Sequence, residues 1–154
     1  MATFTGQPFI VYVDGGDLSI LYLVEREGQL VAGQIRQLTT TGGVTGVWVH
    51  PKGEQLAYVR EEAPSNALYV LNLALNTPQR VTGGDTLPPL PGLGNNRQTR
   101  YLDQVQWSGN GERLVFNTRI APQEPATGPA YDLWTVRPGE TPVELIPANT
   151  GGAI

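Results

Sequence analysis

Short runs of apolar residues, several of them alternating with polar ones and all bounded by Gly, Pro, Asn or Asp, follow one another along the whole chain. Runs of about four to eight residues punctuated in this way are strands. They predict a first unit of three strands, Phe9–Val13, Leu18–Val24 and Gln34–Leu38, with a turn at Asp14-Gly15-Gly16-Asp17. A second unit has four: Gly46–His50, Gln55–Val59, Ala67–Leu73 and Gln79–Thr82. A third has four more: Gln104–Trp107, Arg113–Asn117, Asp132–Val136 and Val143–Ile146. The turn Ser108-Gly109-Asn110-Gly111 carries Asn-Gly, a strong short-range hairpin signal.

The units repeat one another. Val49-His50-Pro51-Lys52-Gly53-Glu54-Gln55-Leu56-Ala57-Tyr58 returns 58 positions later as Trp107-Ser108-Gly109-Asn110-Gly111-Glu112-Arg113-Leu114-Val115-Phe116. Ile20–Val24, Ala67–Leu71 and Asp132–Val136 align on Tyr22, Tyr69 and Trp134, an offset of 47 between the first two. Thr-Gly-Gly closes each unit, at 41–43, 82–84 and 150–152. A period of about 40 to 50 residues marks a propeller blade or an array, in which each unit buries its apolar faces against its neighbours. The expected fold is all-β: four-stranded antiparallel propeller blades, about three of them, in an incomplete ring.

The expected division is one partial propeller over 1–154: blade 1 at 8–40, lacking its first strand, blade 2 at 44–84, and a Pro/Gly-rich insertion at 85–100. Blade 3 spans 101–148, and 149–154 is the start of a next blade or a tail. Closed propellers carry typically about four to eight blades, so three leave open ends. Exposed strand edges invite pairing with another chain. The expectation is a chain that is not a stable monomer unless something covers both ends, completed by a protein partner, by additional blades, or as a homo-oligomer that closes the ring.

Composition narrows the function. Nineteen Gly and 13 Pro in 154 residues leave little room for helices, and no apolar run reaches the roughly 20 residues of a membrane-spanning helix. A net charge of −4 without a basic block argues against a nucleic-acid partner. No cysteine means no disulfide and no thiolate chemistry.

Trp107-Ser108-Gly109-Asn110-Gly111 followed by an apolar strand resembles the repeat of TolB-like propellers, whose usual pattern is Trp-Ser-Pro-Asp-Gly and then an apolar strand ending in Ala-Phe. The turn of the second unit, His50-Pro51-Lys52-Gly53, keeps the Pro and Gly. The resemblance implies a toroid of four-stranded blades. Such repeats occur in periplasmic TolB, in the propellers of prolyl-oligopeptidase-like enzymes and in envelope proteins, so it implies a periplasmic or cell-envelope place if a leader has been removed. Met1–Gly6 lacks the basic start and apolar core of a secretory signal, and without such removal the place is the cytoplasm.

Candidate chemistry is sparse. The only histidine, His50, falls in a hairpin turn; acid–base work needs a carboxylate or nucleophile held beside it, and the local sequence offers only Lys52 and Glu54 across the hairpin, so a turn residue is the better reading. Asp14 and Asp17 could present two oxygens to a cation such as Ca²⁺, but lack further acidic ligands. The serines lack a nucleophile elbow. No catalytic residue and no cofactor is expected. Leu87, Leu90, Leu93, Asn95, Asn96 and Arg97, in the insertion, are the candidate partner contacts, because long loops often carry function. The expected function is a noncatalytic platform for protein–protein interaction. The alternatives are an accessory propeller of a larger enzyme, such as a prolyl-oligopeptidase-like hydrolase, and a propeller that binds a small ligand.

Overall fold

The computed structural model describes residues 3–4, 7–88, 99–121 and 132–146. They form three four-stranded antiparallel sheets, each built from strands consecutive in the chain. Sheet 1 holds β1 (Thr3–Phe4), β2 (Gln7–Asp14), β3 (Asp17–Arg26) and β4 (Gln29–Gln37). Sheet 2 holds β5 (Val44–Val49), β6 (Gln55–Glu62), β7 (Ser65–Asn72) and β8 (Thr77–Gly83). Sheet 3 holds β9 (Thr99–Trp107), β10 (Leu114–Ala121), β11 (Leu133–Val136) and β12 (Val143–Ile146). The helix among the described residues is a single 3₁₀ turn, Gly84–Thr86.

Sheet 1 has one strand more than the sequence pattern gives. β1 is two residues long, pairing Thr3 with Pro8 and Phe4 with Gln7, too short for any alternation to show. β4 starts at Gln29, not Gln34, because Glu27-Gly28 makes a tight turn with both residues at positive φ (53° and 78°). A bulge between Leu21 and Leu23 then interrupts the register. Gly33 sits opposite it, where a Cβ would lie 2.6 Å from Val24 Cγ2 and 2.9 Å from the Tyr22 carbonyl oxygen. The bulge hides the strand by breaking its period.

The sheets stack in chain order, with an apolar core in each of the two gaps. Phe9, Leu18 and Ile20 of sheet 1 meet Leu56, Tyr58 and Leu71 of sheet 2, with Tyr22 and Tyr69 at the margin. Ala57, Val59, Leu68 and Val70 of sheet 2 meet Leu102, Val105, Trp107, Leu114, Phe116 and Trp134 of sheet 3. Successive side chains on a strand point to opposite faces. β6 and β7 therefore serve both cores, and this is why they read as nearly continuous apolar runs. Each such side chain, fully buried, contributes about 1.5–3 kcal/mol by leaving water.

The first unit aligns with the second differently from what its aromatic residue implies. Counted from the hairpin turns, Ile10 and Leu21 occupy the places of Tyr58 and Tyr69, each pair facing across neighbouring strands. Tyr69 and Trp134 point toward the preceding sheet, whereas Tyr22 points toward the following one. The offset between the units is 48, not 47, and a shift of one residue reverses the face of every side chain in a strand.

Thr-Gly-Gly at 41–43 is the joint between sheets 1 and 2. Asp17 Oδ1 accepts hydrogen bonds from Thr39 Oγ1 (2.9 Å) and the Gly42 amide (2.8 Å). The Val44 amide donates to the Gly16 carbonyl (2.9 Å), and the Glu61 amide to the Gly43 carbonyl (2.7 Å). At 41–43 the tripeptide is punctuation because its backbone ties one hairpin to the next.

Candidate interaction surfaces

Among the described residues, a buried polar network lies where sheets 2 and 3 meet. Asp132, just before β11, is buried and accepts four hydrogen bonds: from Thr118 Oγ1 (2.5 Å) and its amide (2.7 Å), from Trp134 Nε1 (2.8 Å) and from Arg100 Nη2 (2.7 Å). Burial pushes the carboxyl's pKa up, but these donors together hold it below the ordinary value. Arg100 also donates to Thr118 Oγ1 through Nε (2.9 Å) and to the Pro88 carbonyl through Nη1, and lies over the Trp134 ring at 5.0 Å. Its own carbonyl accepts from Ser65 Oγ. Asn66 pairs with both backbone groups of Leu102 (3.0 and 2.8 Å), as a neighbouring strand would. Ser65 and Asn66 thus tie β7 to β9, Arg100, Thr118, Trp134 and Asp132 tie the starts of β9 and β11 to β10, and Arg100 also holds the Pro88 carbonyl.

Sequence reasoning missed this node. Asp132 and Trp134 stand two apart on one face of a strand, but Thr118 and Arg100 reach them from 14 and 32 residues away. An Asp-x-Trp pair beginning a strand after a long loop was the one local signal.

His50 joins two hairpin turns. Its Nδ1 accepts from the Lys52 amide at 3.0 Å, which leaves Nε2 as the donor to the Gly111 carbonyl at 2.9 Å. The ring stands edge-on to Trp107, 4.6 Å between centroids, and Trp107 Nε1 donates to the Trp48 carbonyl at 3.0 Å. Asp14 and Asp17 end the β2–β3 hairpin, with one oxygen of Asp17 already engaged by the joint described above. Among the described residues no group of three His, Asp or Glu side chains is placed to share a metal.

Of the candidate partner contacts, Leu87 is 8% exposed and belongs to the core between sheets 2 and 3. The Leu87 side chain, near the start of the insertion, packs against that core. Leu90, Leu93, Asn95, Asn96 and Arg97 lie outside the described residues.

The surfaces that no described residue covers are the two outer sheet faces. On sheet 1 the cross-strand row Ile10–Leu21–Ile35 leaves Ile10 47% and Ile35 60% exposed. On sheet 3, Val115 faces away from sheet 2 because its neighbours Leu114 and Phe116 face into the core. Val115 pairs with Thr135, Thr135 with Val143, and Leu133 with Ile146, which leaves Val143 and Ile146 54% and 46% exposed. Lone exposed apolar residues are ordinary, whereas contiguous apolar faces mark association sites.

Three stacked four-stranded sheets, with an apolar core in each gap between them, define a β-propeller architecture. Solved structures place it more closely. The chain is similar to the putative TolB from Agrobacterium tumefaciens, with a TM-score of 0.53 and 19% identity, over 87% of this chain and 43% of that one. It is also similar to an oligogalacturonate lyase in complex with manganese, with a TM-score of 0.51 and 14% identity, over 92% of this chain and 36% of that one. The fold is that of a TolB-like propeller, and the chain spans about two fifths of the length of these structures. No protein-family model matches the chain, and no curated protein does. One propeller fold hosts unrelated functions, so the likeness carries architecture and not chemistry.

Proposed function

We propose that the chain is a noncatalytic propeller segment that serves as a platform for protein–protein association. The observation that carries this reading is the apolar row Ile10–Leu21–Ile35 on the outer face of sheet 1, which no described residue covers, with Val115, Leu133, Val143 and Ile146 interspersed with Gln106 and Thr135 on the outer face of sheet 3. Covering such a surface returns about 25 cal/mol for each Å² of apolar area removed from water. The engagement of His50, Asp17 and Asp132 in framework hydrogen bonds supports the noncatalytic part. Sedimentation together with ANS fluorescence tests the reading: a folded protein should either self-associate or bind the dye at its uncovered faces. A folded monomer that binds no dye would overturn it.

The second reading, an accessory propeller of a larger enzyme, is favoured by the lyase, an enzyme of the same fold. An α/β-hydrolase segment in the same native gene product would decide for it.

A further inference from the structure

We propose that Asn110 is a self-modifying residue, deamidated within the folded β9–β10 turn by attack of the Gly111 nitrogen on its side-chain amide, and that the turn's own hydrogen-bond donors speed the step. Asn110-Gly111 is the one Asn-Gly pair in the chain, and Asn110 is exposed. Glycine matters at the second position because no Cβ shields its nitrogen. That nitrogen loses its proton to hydroxide and bonds to Asn110 Cγ, and the Cγ–Nδ2 bond breaks. Ammonia departs, having taken a proton from water. Water then opens the cyclic imide at either of its carbonyls, giving aspartate or isoaspartate, and nothing is oxidised or reduced.

Negative charge gathers on Asn110 Oδ1 as the nitrogen adds, and two donors already point at that atom. Ser108 Oγ donates to it at 2.8 Å and the Glu112 amide at 3.1 Å. Donors fixed where charge develops stabilise the transition state without having to reorganise. Each is itself polarised. The Arg113 amide donates to Ser108 Oγ at 3.0 Å. His50 Nε2 donates at 2.9 Å to the Gly111 carbonyl, the other end of the peptide group that carries the Glu112 amide. Hydrogen bonds chained in this way strengthen one another. One contact opposes the step: the Gly111 amide donates to the Ser108 carbonyl at 2.8 Å, and this bond must open before the nitrogen attacks. Asn72 supplies an internal contrast. Its Oδ1 also accepts from two amides, Ala74 at 2.9 Å and Leu75 at 3.0 Å, but the next nitrogen belongs to Leu73, whose branched side chain is buried beside it.

The two products differ in what they do to the joint between sheets 2 and 3. Aspartate keeps both donors, now in charge-assisted bonds. Isoaspartate carries the main chain through the former side chain, which adds a methylene to the turn whose Gly111 carbonyl holds His50.

The experiment incubates the full chain at mildly alkaline pH, folded in buffer and unfolded in guanidinium chloride. Tryptic peptide 101–113, which holds no other asparagine, is followed by mass spectrometry, and isoelectric focusing detects one negative charge added to the net −4. Asn110 should convert faster in the folded chain than in the unfolded one, with Asn72 far behind in both. Ser108→Ala should slow the folded rate about tenfold, less than the roughly 10²–10³ that one such donor is worth in a closed enzyme site, because this turn is open to water. Ser108→Thr keeps the hydroxyl and should restore the rate. Circular dichroism shows whether Ser108→Ala folds, and where it does not, the folded and unfolded parent chains decide alone. A folded rate equal to or below the unfolded rate overturns the proposal. So does a Ser108→Ala chain that folds and deamidates at or above the parental rate, since the turn would then protect Asn110.

Discussion

Arg100 Nη2 and Asp132 Oδ2 stand 2.7 Å apart with side chains only 7% and 1% exposed, a fully desolvated ion pair between the start of β9 and the start of β11. A buried pair is weak evidence for stability in itself, because desolvating two charges costs much of what their attraction returns. Breaking one is another matter. Asp132→Ala leaves the buried guanidinium with Glu144 at 4.0 Å as its remaining carboxylate and removes the acceptor of Trp134 Nε1 and of both Thr118 donors, so unfolding in urea should show a loss of about 3 kcal/mol, the lower end for a broken buried pair. The pH dependence follows from the depressed carboxyl. Its stabilisation is complete above the ordinary value near 3.8 and is lost as the pH falls through the lower folded-state value. Asp132→Asn should therefore be less stable than the parent at neutral pH and lose less of its stability on acidification.

The contact between His50 and Gly111 makes a second prediction. Gly111 adopts φ +75°, and a Cβ there would collide with the His50 ring at Nε2. Gly111→Ala should cost more than the roughly 1 kcal/mol of an ordinary Gly→Ala change at positive φ. His50→Ala should cost about 1–3 kcal/mol, since it leaves the Gly111 carbonyl without its donor. The double variant removes the clash. In a thermodynamic cycle its loss should be smaller than the sum of the two single losses, and strict additivity would show that the turns do not touch.

The parts of the fold written in local sequence were legible. The recurrence of Val49–Tyr58 as Trp107–Phe116 identified the blades, because hairpin turn chemistry and strand alternation are both short-range. Aligning Tyr22 with Tyr69 on aromatic character missed by one residue, because parity from the turn, not residue type, decides which face a side chain takes. β1 was too short to read, and Gly33 hid the start of β4 inside a bulge. The Arg100–Asp132 node was illegible for a different reason. Its members are far apart in sequence, and Arg100 stood at the end of a segment whose Pro and Gly content marked all of it as loop.

Tyr58 and Tyr69 should mark the alkaline limit of the blade 1–blade 2 joint. Their rings stack with centroids 5.3 Å apart, and Tyr69 donates to Glu62 Oε2 at 2.6 Å. Burial, reinforced by Tyr69, pushes the Tyr58 phenol up to about 12. Its folded-state value is thus above the ordinary 10.0, so its stabilisation is intact below that pH and lost as the pH climbs toward about 12. Ultraviolet titration of tyrosinate should show a late step that coincides with unfolding. Tyr58→Phe should remove that step and extend stability to higher pH.

Leu87 separates the anchoring of the insertion from any partner it meets. The side chain sits in one core with Leu102, Val105 and Trp107, while the Pro88 carbonyl next to it is held by Arg100. Leu87→Ala should open a cavity beside Trp107 and lower the unfolding free energy by about 2–5 kcal/mol. The urea dependence m should stay near the parental value, because the surface exposed on unfolding is nearly the same. A residue whose apolar surface served only a partner would behave otherwise: truncation would leave the urea midpoint in place and weaken only association. Measuring both quantities on the one variant distinguishes the roles. A parental midpoint with weakened association would assign Leu87 to the partner surface and show that its packing contributes little to the core.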